Sequence, residues 1–289
     1  MTARGRLLSG LVTIVIALAG FVTVGALPAA ANSDNVQYVA LGDSYAAGVG
    51  ASPRLPVTKC LQSDFGYPWV LDSAKRIDLQ VNATCAGATT DVVAKTQLSA
   101  LNPETRLVTL TVGGNDLGFA GLAGPCLAGT LKPAECLAAI DDAVAVGRLS
   151  KLGSALTDLF AHQVAVKAPD ARIVVTGYPF LFDPPAADDH SPSSEIINRF
   201  REATALLNDT IERAVAAARD ANVKIVYVDV TAAFAGHGIG SSDPFINDPS
   251  SDAPGAVPFH PNARGYVAYA DAIAAKLPNG WLAKNKQLV

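Results

Sequence analysis

An α/β domain with a parallel sheet buried on both faces is the fold class that this sequence predicts. Three observations lead there. Short apolar runs rich in β-branched residues, each bounded by Gly, Pro or Asp, alternate with stretches of helical periodicity. Half of the residues are hydrophobic and only 17 % are charged, against roughly 25 % in an average soluble domain, which suits strands covered by helices on both sides. No repeat, low-complexity tract or long linker divides the 289 residues, so residues 32–289 are expected to form one domain.

The first segment stands apart from that domain. Arg4 and Arg6 precede an apolar run from Leu7 to Leu27, and Ala29-Ala30-Ala31 supplies the small residues that a signal peptidase reads. Residues 1–31 are therefore predicted to be a secretory signal peptide. The mature protein is then secreted or extracellular, with cell-envelope association open and no stable membrane span. The run is longer than most signal cores, so the competing expectation is an uncleaved N-terminal anchor. Gly10, Gly20, Gly25 and Pro28 make it a mediocre membrane helix, and the absence of any Cys before Cys60 removes a lipoprotein attachment site.

Strands are expected at Val36–Leu41, Arg106–Val112, Arg172–Thr176 and Val223–Val230, with a weaker one at Leu79–Thr84. A helical pattern covers about Ala134 to Val166, expected to break near Gly147 or Gly153. Ile196, Phe200, Ala203, Leu207 and Ile211 step by four, three, four and four, one face of a second helix. A third follows Pro261, which suits a first helical turn, with Tyr266, Tyr269, Ile273 and Leu277 on its inner face.

Cys60, Cys85, Cys126 and Cys136 form no CxxC pair, which removes a zinc ribbon or thioredoxin site. After export an even count reads as two bridges. Sequential pairing, Cys60–Cys85 and Cys126–Cys136, closes the shortest loops and is the expected one. A formal net charge of −4 without a Lys/Arg cluster excludes nucleic acid as the natural partner. No GxxxxGK[ST] is present, and Gly236-His237-Gly238-Ile239-Gly240 is spaced wrongly for GxGxxG, so a nucleotide-binding enzyme has no support.

Ligands of a parallel sheet bind beyond the carboxyl ends of its strands, so the residues after each strand are the ones to read for chemistry. Gly42-Asp43-Ser44 follows the first strand, Cys85-Ala86-Gly87 the second, and Gly113-Gly114-Asn115-Asp116 the third. A serine presented on a tight turn can act as a nucleophile if a base reaches it, although Gly-Asp-Ser is equally a common turn or helix N-cap. Position 46 is Ala, so the G-x-S-x-G elbow of α/β-hydrolases is absent. The Asn115 amide could donate to a developing oxyanion, or simply complete a Gly-Gly-Asn turn. Gly87 could let a backbone N–H approach a ligand, or supply positive φ. Of His162, His190, His237 and His260, only His260 sits in a loop immediately before a helix start; His190 and His237 remain alternatives, and His162 falls within a helix.

Together these blocks resemble the SGNH hydrolases, the GDSL esterase/lipase family, over about residues 38–275. The resemblance implies a flavodoxin-like three-layer α/β/α fold and hydrolysis of carboxylic esters through an acyl-enzyme. It also implies Ser44 as nucleophile and His260 as general base, with the Ser44 N–H, Gly87 N–H and Asn115 amide as the oxyanion hole. No cofactor or metal is implied; the partner is a small-molecule or lipid ester, and the protein is expected to be a monomer. The cysteines are similar to those of the secreted actinobacterial branch, whose members often carry a third bridge; only two are possible here.

Many members place an Asp three residues before the histidine. Here that position is Val257, so the expectation is a Ser–His dyad with the Val257 backbone carbonyl orienting the imidazole. Asp243, Asp248 or Asp252 folding back is the alternative. Carbohydrate (acetyl) esterase and phospholipase activity fit the same core, and a non-catalytic extracellular binding module is the reading from another class. Segments 51–67, 119–136 and 180–192 are expected to wall the pocket. Phe180, Leu181 and Phe182 suit an acyl-chain site and core packing equally.

Overall fold

In the computed structural model, which describes residues 35–282 apart from 54–57, 75, 128, 187 and 190, five parallel strands form one sheet in the order β2-β1-β3-β4-β5. They are β1 (Val36–Gly42), β2 (Ile77–Asn82), β3 (Leu107–Thr111), β4 (Arg172–Thr176) and β5 (Ile225–Val228). The proposed signal peptide and His190 lie outside the described residues. This strand order is the flavodoxin-like one, and its direction reverses between β1 and β3. Whatever follows those two strands therefore shares one crevice.

Nine α-helical segments occur among the described residues, and their loops carry the chemistry. They are α1 (Ser44–Ala47), α2 (Tyr67–Asp72), α3 (Thr90–Val92), α4 (Phe119–Leu127) and α5 (Pro133–Ala143), then α6 (Val146–Asp158), α7 (Ala165–Lys167), α8 (Pro192–Asp220) and α9 (Ala263–Ala274). Wider turns at Val93–Gln97 and Leu159–Val164 extend α3 and join α6 to α7.

Alternate residues of each strand face opposite layers. Val39, Leu41, Val108, Leu110, Ile173 and Val175 pack against α6 and α8 through Leu152, Leu156, Leu207 and Ile211. Tyr38, Ala40, Leu107, Val174 and Val228 pack against α2 and α9 through Tyr67, Leu71, Tyr266, Tyr269 and Ile273. The second layer is unusually rich in tyrosine. Each of these phenols reaches a partner, as buried hydroxyls must: Tyr38 meets Thr109 at 2.6 Å, Tyr67 meets Thr111 at 3.0 Å, Tyr266 donates to the Val49 carbonyl and Tyr269 to that of Gly177.

The helical pattern of 134–166 breaks at Val144-Ala145, two residues before Gly147, and runs on through Gly153. Gly153 lies inside α6, where a Cβ would stand at an ordinary contact distance of 3.5 Å from the Thr210 methyl of α8. One expectation needs correction: Pro261 is not in the first turn of α9. Asn262 caps that helix, its side chain accepting from the N–H groups of Arg264 and Gly265, and Pro261 lies outside, bridged to Ile246.

β2 begins and ends two residues before its expected place, and its register against β1 shifts by one residue opposite Tyr38/Val39. Backbone bonds from Ala83 to Ala40 and from Cys85 to Gly42 carry the contact with β1 onward. Cys60 is bonded to Cys85, and Cys126 to Cys136. The first bridge fastens segment 58–66 to the loop after β2, and the second ties α4 to α5.

Candidate active site

Gly42 ends β1 at φ +125°, and a Cβ there would stand 2.3 Å from the Thr111 carbonyl oxygen of β3. Only glycine fits. The turn releases the chain into α1, with Asp43 as its cap and Ser44 as its first residue. Gln97 fixes the turn from the other side: its Oε1 accepts the Gly42 N–H at 2.7 Å and its Nε2 donates to the Gly42 carbonyl at 2.9 Å.

The other half of the site comes from the far end of the chain. His260 Nε2 lies 2.9 Å from Ser44 Oγ, and Nδ1 lies 3.0 Å from the Pro258 carbonyl. A carbonyl can only accept, so Nδ1 carries the proton and Nε2 presents its lone pair to the serine hydroxyl. Burial pushes the imidazole pKa below its usual value, partly offset by the Pro258 carbonyl. The ring is therefore neutral at neutral pH, as acceptance of a proton requires.

Val257 does not hold the imidazole. Its carbonyl accepts the backbone N–H of His260 at 3.3 Å, closing a turn with Pro258 and Phe259 at its centre. Phe259 has φ +64°, the left-handed conformation that the third residue of a type II turn requires, and Pro258 suits the second. This reversal carries the Pro258 carbonyl to the ring. The aspartates are occupied elsewhere: both oxygens of Asp243 accept from Arg264, with the second pair at 2.6 Å. Asp248 accepts from the Ser250 backbone, and Asp252 lies exposed.

Asn115, after β3, lines the same cavity as Ser44 and His260. Its Nδ2 donates one N–H to the Ala88 carbonyl at 3.0 Å, which leaves the second for a ligand. Asp116 accepts the N–H and hydroxyl of Thr90. These bonds lock the loop after β3 to the loop after β2, where Gly87 adopts φ +79° beside open space. Gly87 does not itself line the cavity. Of the other histidines, His162 is exposed, and His237 stacks on Phe245 at 3.7 Å with Nδ1 on the Asp243 carbonyl.

Several residues that the motifs did not flag complete the scaffold. The Tyr178 hydroxyl donates to Asp43 at 2.5 Å and accepts the Gly114 N–H at 3.1 Å, joining the serine turn to the asparagine turn. Asn208 of α8 clamps Tyr178 as Gln97 clamps Gly42, accepting its N–H and donating to its carbonyl, both at 2.8 Å. Burial raises the Asp43 carboxyl to about 7, against the pull of the bonds from Tyr178 and Tyr45. Tyr178 lies just beyond β4, where the strand-end rule could have found it; Gln97 has no local signal.

A serine–imidazole pair, an amide donor and an apolar wall in one cavity suit acyl transfer. No group of His, Cys, Asp and Glu able to hold a metal occurs among the described residues. Residues 40–268 match the GDSL-like lipase/acylhydrolase family. The chain is 37 % identical over 232 residues to a lipase of Streptomyces rimosus, covering 79 % of this chain and 81 % of that one. It is similar to the crystal structure of an extracellular lipase from Streptomyces rimosus, with TM-score 0.73 and 28 % identity over 84 % of this chain and all of that one. The same TM-score and coverage relate it to phospholipase A1 from Streptomyces albidoflavus, at 31 % identity. The chain therefore belongs to the GDSL-like lipase/acylhydrolase family, and it hydrolyses carboxylic esters.

Proposed function

We propose that this ester hydrolase works through Ser44 as nucleophile and His260 as general base, without an aspartate. The observation that carries the reading is the 2.9 Å contact between Ser44 Oγ and His260 Nε2, with Nδ1 occupied by the Pro258 carbonyl. Nε2 takes the hydroxyl proton as Oγ attacks the ester carbonyl carbon. The oxyanion is met by the Ser44 N–H, the Gly87 N–H and the second Nδ2–H of Asn115. As the tetrahedral species collapses, Nε2 passes the proton to the departing alcohol, leaving an acyl group on Ser44. Water then repeats the sequence, with its proton taken by Nε2 and returned to Oγ, and releases the acid.

Two further features belong to this proposal. Residues 1–31 act as an export signal and residues 32–289 as the catalytic domain; the extracellular Streptomyces rimosus lipase supports that setting. No helix among the described residues is long and apolar enough to cross a membrane. Phospholipid hydrolysis is the second reading, favoured by the likeness to phospholipase A1.

Mass spectrometry after reaction with a p-nitrophenyl ester or a fluorophosphonate tests the assignment. The adduct is expected on Ser44 and lost in Ser44→Ala together with turnover, while circular dichroism stays unchanged. An adduct on another residue, or turnover retained by the variant, overturns it.

A further inference from the structure

Ser44 follows β1 and Asn115 follows β3, so the geometry between them depends on what joins the two turns. The strand ladder reaches one residue past β1, where the Asp43 N–H donates to the Thr111 carbonyl at 2.9 Å. Beyond that bond, the end of β4 supplies a further link. Tyr178, two residues past β4, donates its hydroxyl proton to Asp43 Oδ2 at 2.5 Å and accepts the Gly114 N–H at 3.1 Å. Asp43 immediately precedes Ser44, and Gly114 immediately precedes Asn115. One oxygen atom therefore holds the residue before each functional side chain.

The close approach depends on Gly114. A Cβ there would stand 3.3 Å from Tyr178 Cζ and 3.4 Å from its hydroxyl oxygen, so a side chain would crowd the phenol. Tyr178 is itself fixed at its backbone, because Asn208 accepts its N–H and donates to its carbonyl, both at 2.8 Å. Its ring meets that of Tyr45 edge-on, with centroids 5.2 Å apart. Burial and the neighbouring Asp43 raise the phenol pKa well above its usual value, which keeps the proton on the oxygen. Tyr178 also lines the cavity that Ser44, Asn115 and His260 line, but its single hydroxyl proton is spent on Asp43. It has none to offer an oxyanion.

We propose that Tyr178 is a positioning residue, which sets the distance between the Ser44 nucleophile and the Asn115 amide through Asp43 and Gly114. The inference rests on the Ser44–Asn115 reading above. A misplaced amide weakens its bond to the developing oxyanion without changing how the ground-state ester binds.

A double-mutant cycle with Asn115→Ala tests the role, read by steady-state kinetics on a short p-nitrophenyl ester well below the Tm of each variant. Tyr178→Phe, which removes only the hydroxyl, should lower kcat by about 10- to 100-fold with KM little changed. In the Asn115→Ala background the same substitution should cost less than about twofold, the scatter between independent sites, since no amide is left to misplace. Asn208→Ala frees the Tyr178 backbone and leaves its hydroxyl in place, which gives a second cycle if Tyr178→Phe folds poorly. Its kcat loss of about fivefold should likewise vanish without the Asn115 amide. Losses that multiply in full, a kcat within about twofold of the parent enzyme, or a change confined to KM overturns the role. Failure of the oxyanion reading would look different, as an unchanged kcat in Asn115→Ala alone, and would take the inference with it.

Discussion

The Tyr45 hydroxyl donates to the Phe259 carbonyl at 2.6 Å. Tyr45 follows Ser44 and Phe259 precedes His260, so the Ser44–His260 contact has a second, parallel contact one residue away. Phe259 is held at φ +64°, a conformation costing a bulky residue about 1–3 kcal/mol. The phenol secures the peptide whose reversal aims the imidazole. Tyr45→Phe should therefore lower kcat by about tenfold, the worth of one hydrogen bond of about 1 kcal/mol or slightly more, with KM little changed. Steady-state kinetics on a short ester would show it, and a change confined to KM would argue against positioning.

Asn115 is bound to the Ala88 carbonyl by one N–H only. If the other meets the oxyanion, Asn115→Ala should reduce kcat by about 10²–10³. An unchanged kcat removes the side chain from the oxyanion hole. A proportional loss of thermal stability would assign it to the tie between the loops.

His260 must be neutral to accept the serine proton, and burial holds its pKa below the ordinary histidine value. Activity should therefore fall as pH drops, with the acidic limb of kcat/KM below about pH 6.5. Protonation is easier in the unfolded chain, so the same group withdraws stability as pH falls from about 6.5 towards its folded pKa. The other group titrating nearby is Asp43, near 7; an inflection that survives Asp43→Asn belongs to His260. A single limb above pH 7 would contradict the assignment.

Gln97 is 2 % exposed and engages both backbone groups of Gly42. Gln97→Leu strands the Gly42 N–H, because its carbonyl alone retains another partner in the Cys85 N–H. The cost should be about 1–3 kcal/mol, or about 2–10 °C in Tm for a domain of this size. Calorimetry would measure it, and kcat should fall as well, since the serine turn loses its brace.

Much of this architecture was legible in the amino-acid order because strands and their following turns are local. Val36–Gly42, Leu107–Thr111 and Arg172–Thr176 carry β-branched runs ended by recognisable turns; Ser44 and Asn115 stand at such ends, and His260 in the loop before a helix. What escaped depends on distance in sequence. The family resemblance implies the Val257 carbonyl as the acceptor for His260; the left-handed Phe259 brings that of Pro258 there instead, and φ at one bulky residue leaves no compositional mark. Gln97 and Asn208 look like ordinary polar residues on helices until the sheet brings Gly42 and Tyr178 to them.

Ser44 and His260 are 216 positions apart, at opposite ends of the catalytic domain. On the proposed mechanism, a nascent chain that has built β1 to β4 still has no base beside its serine, so hydrolysis would require a chain folded as far as residue 260.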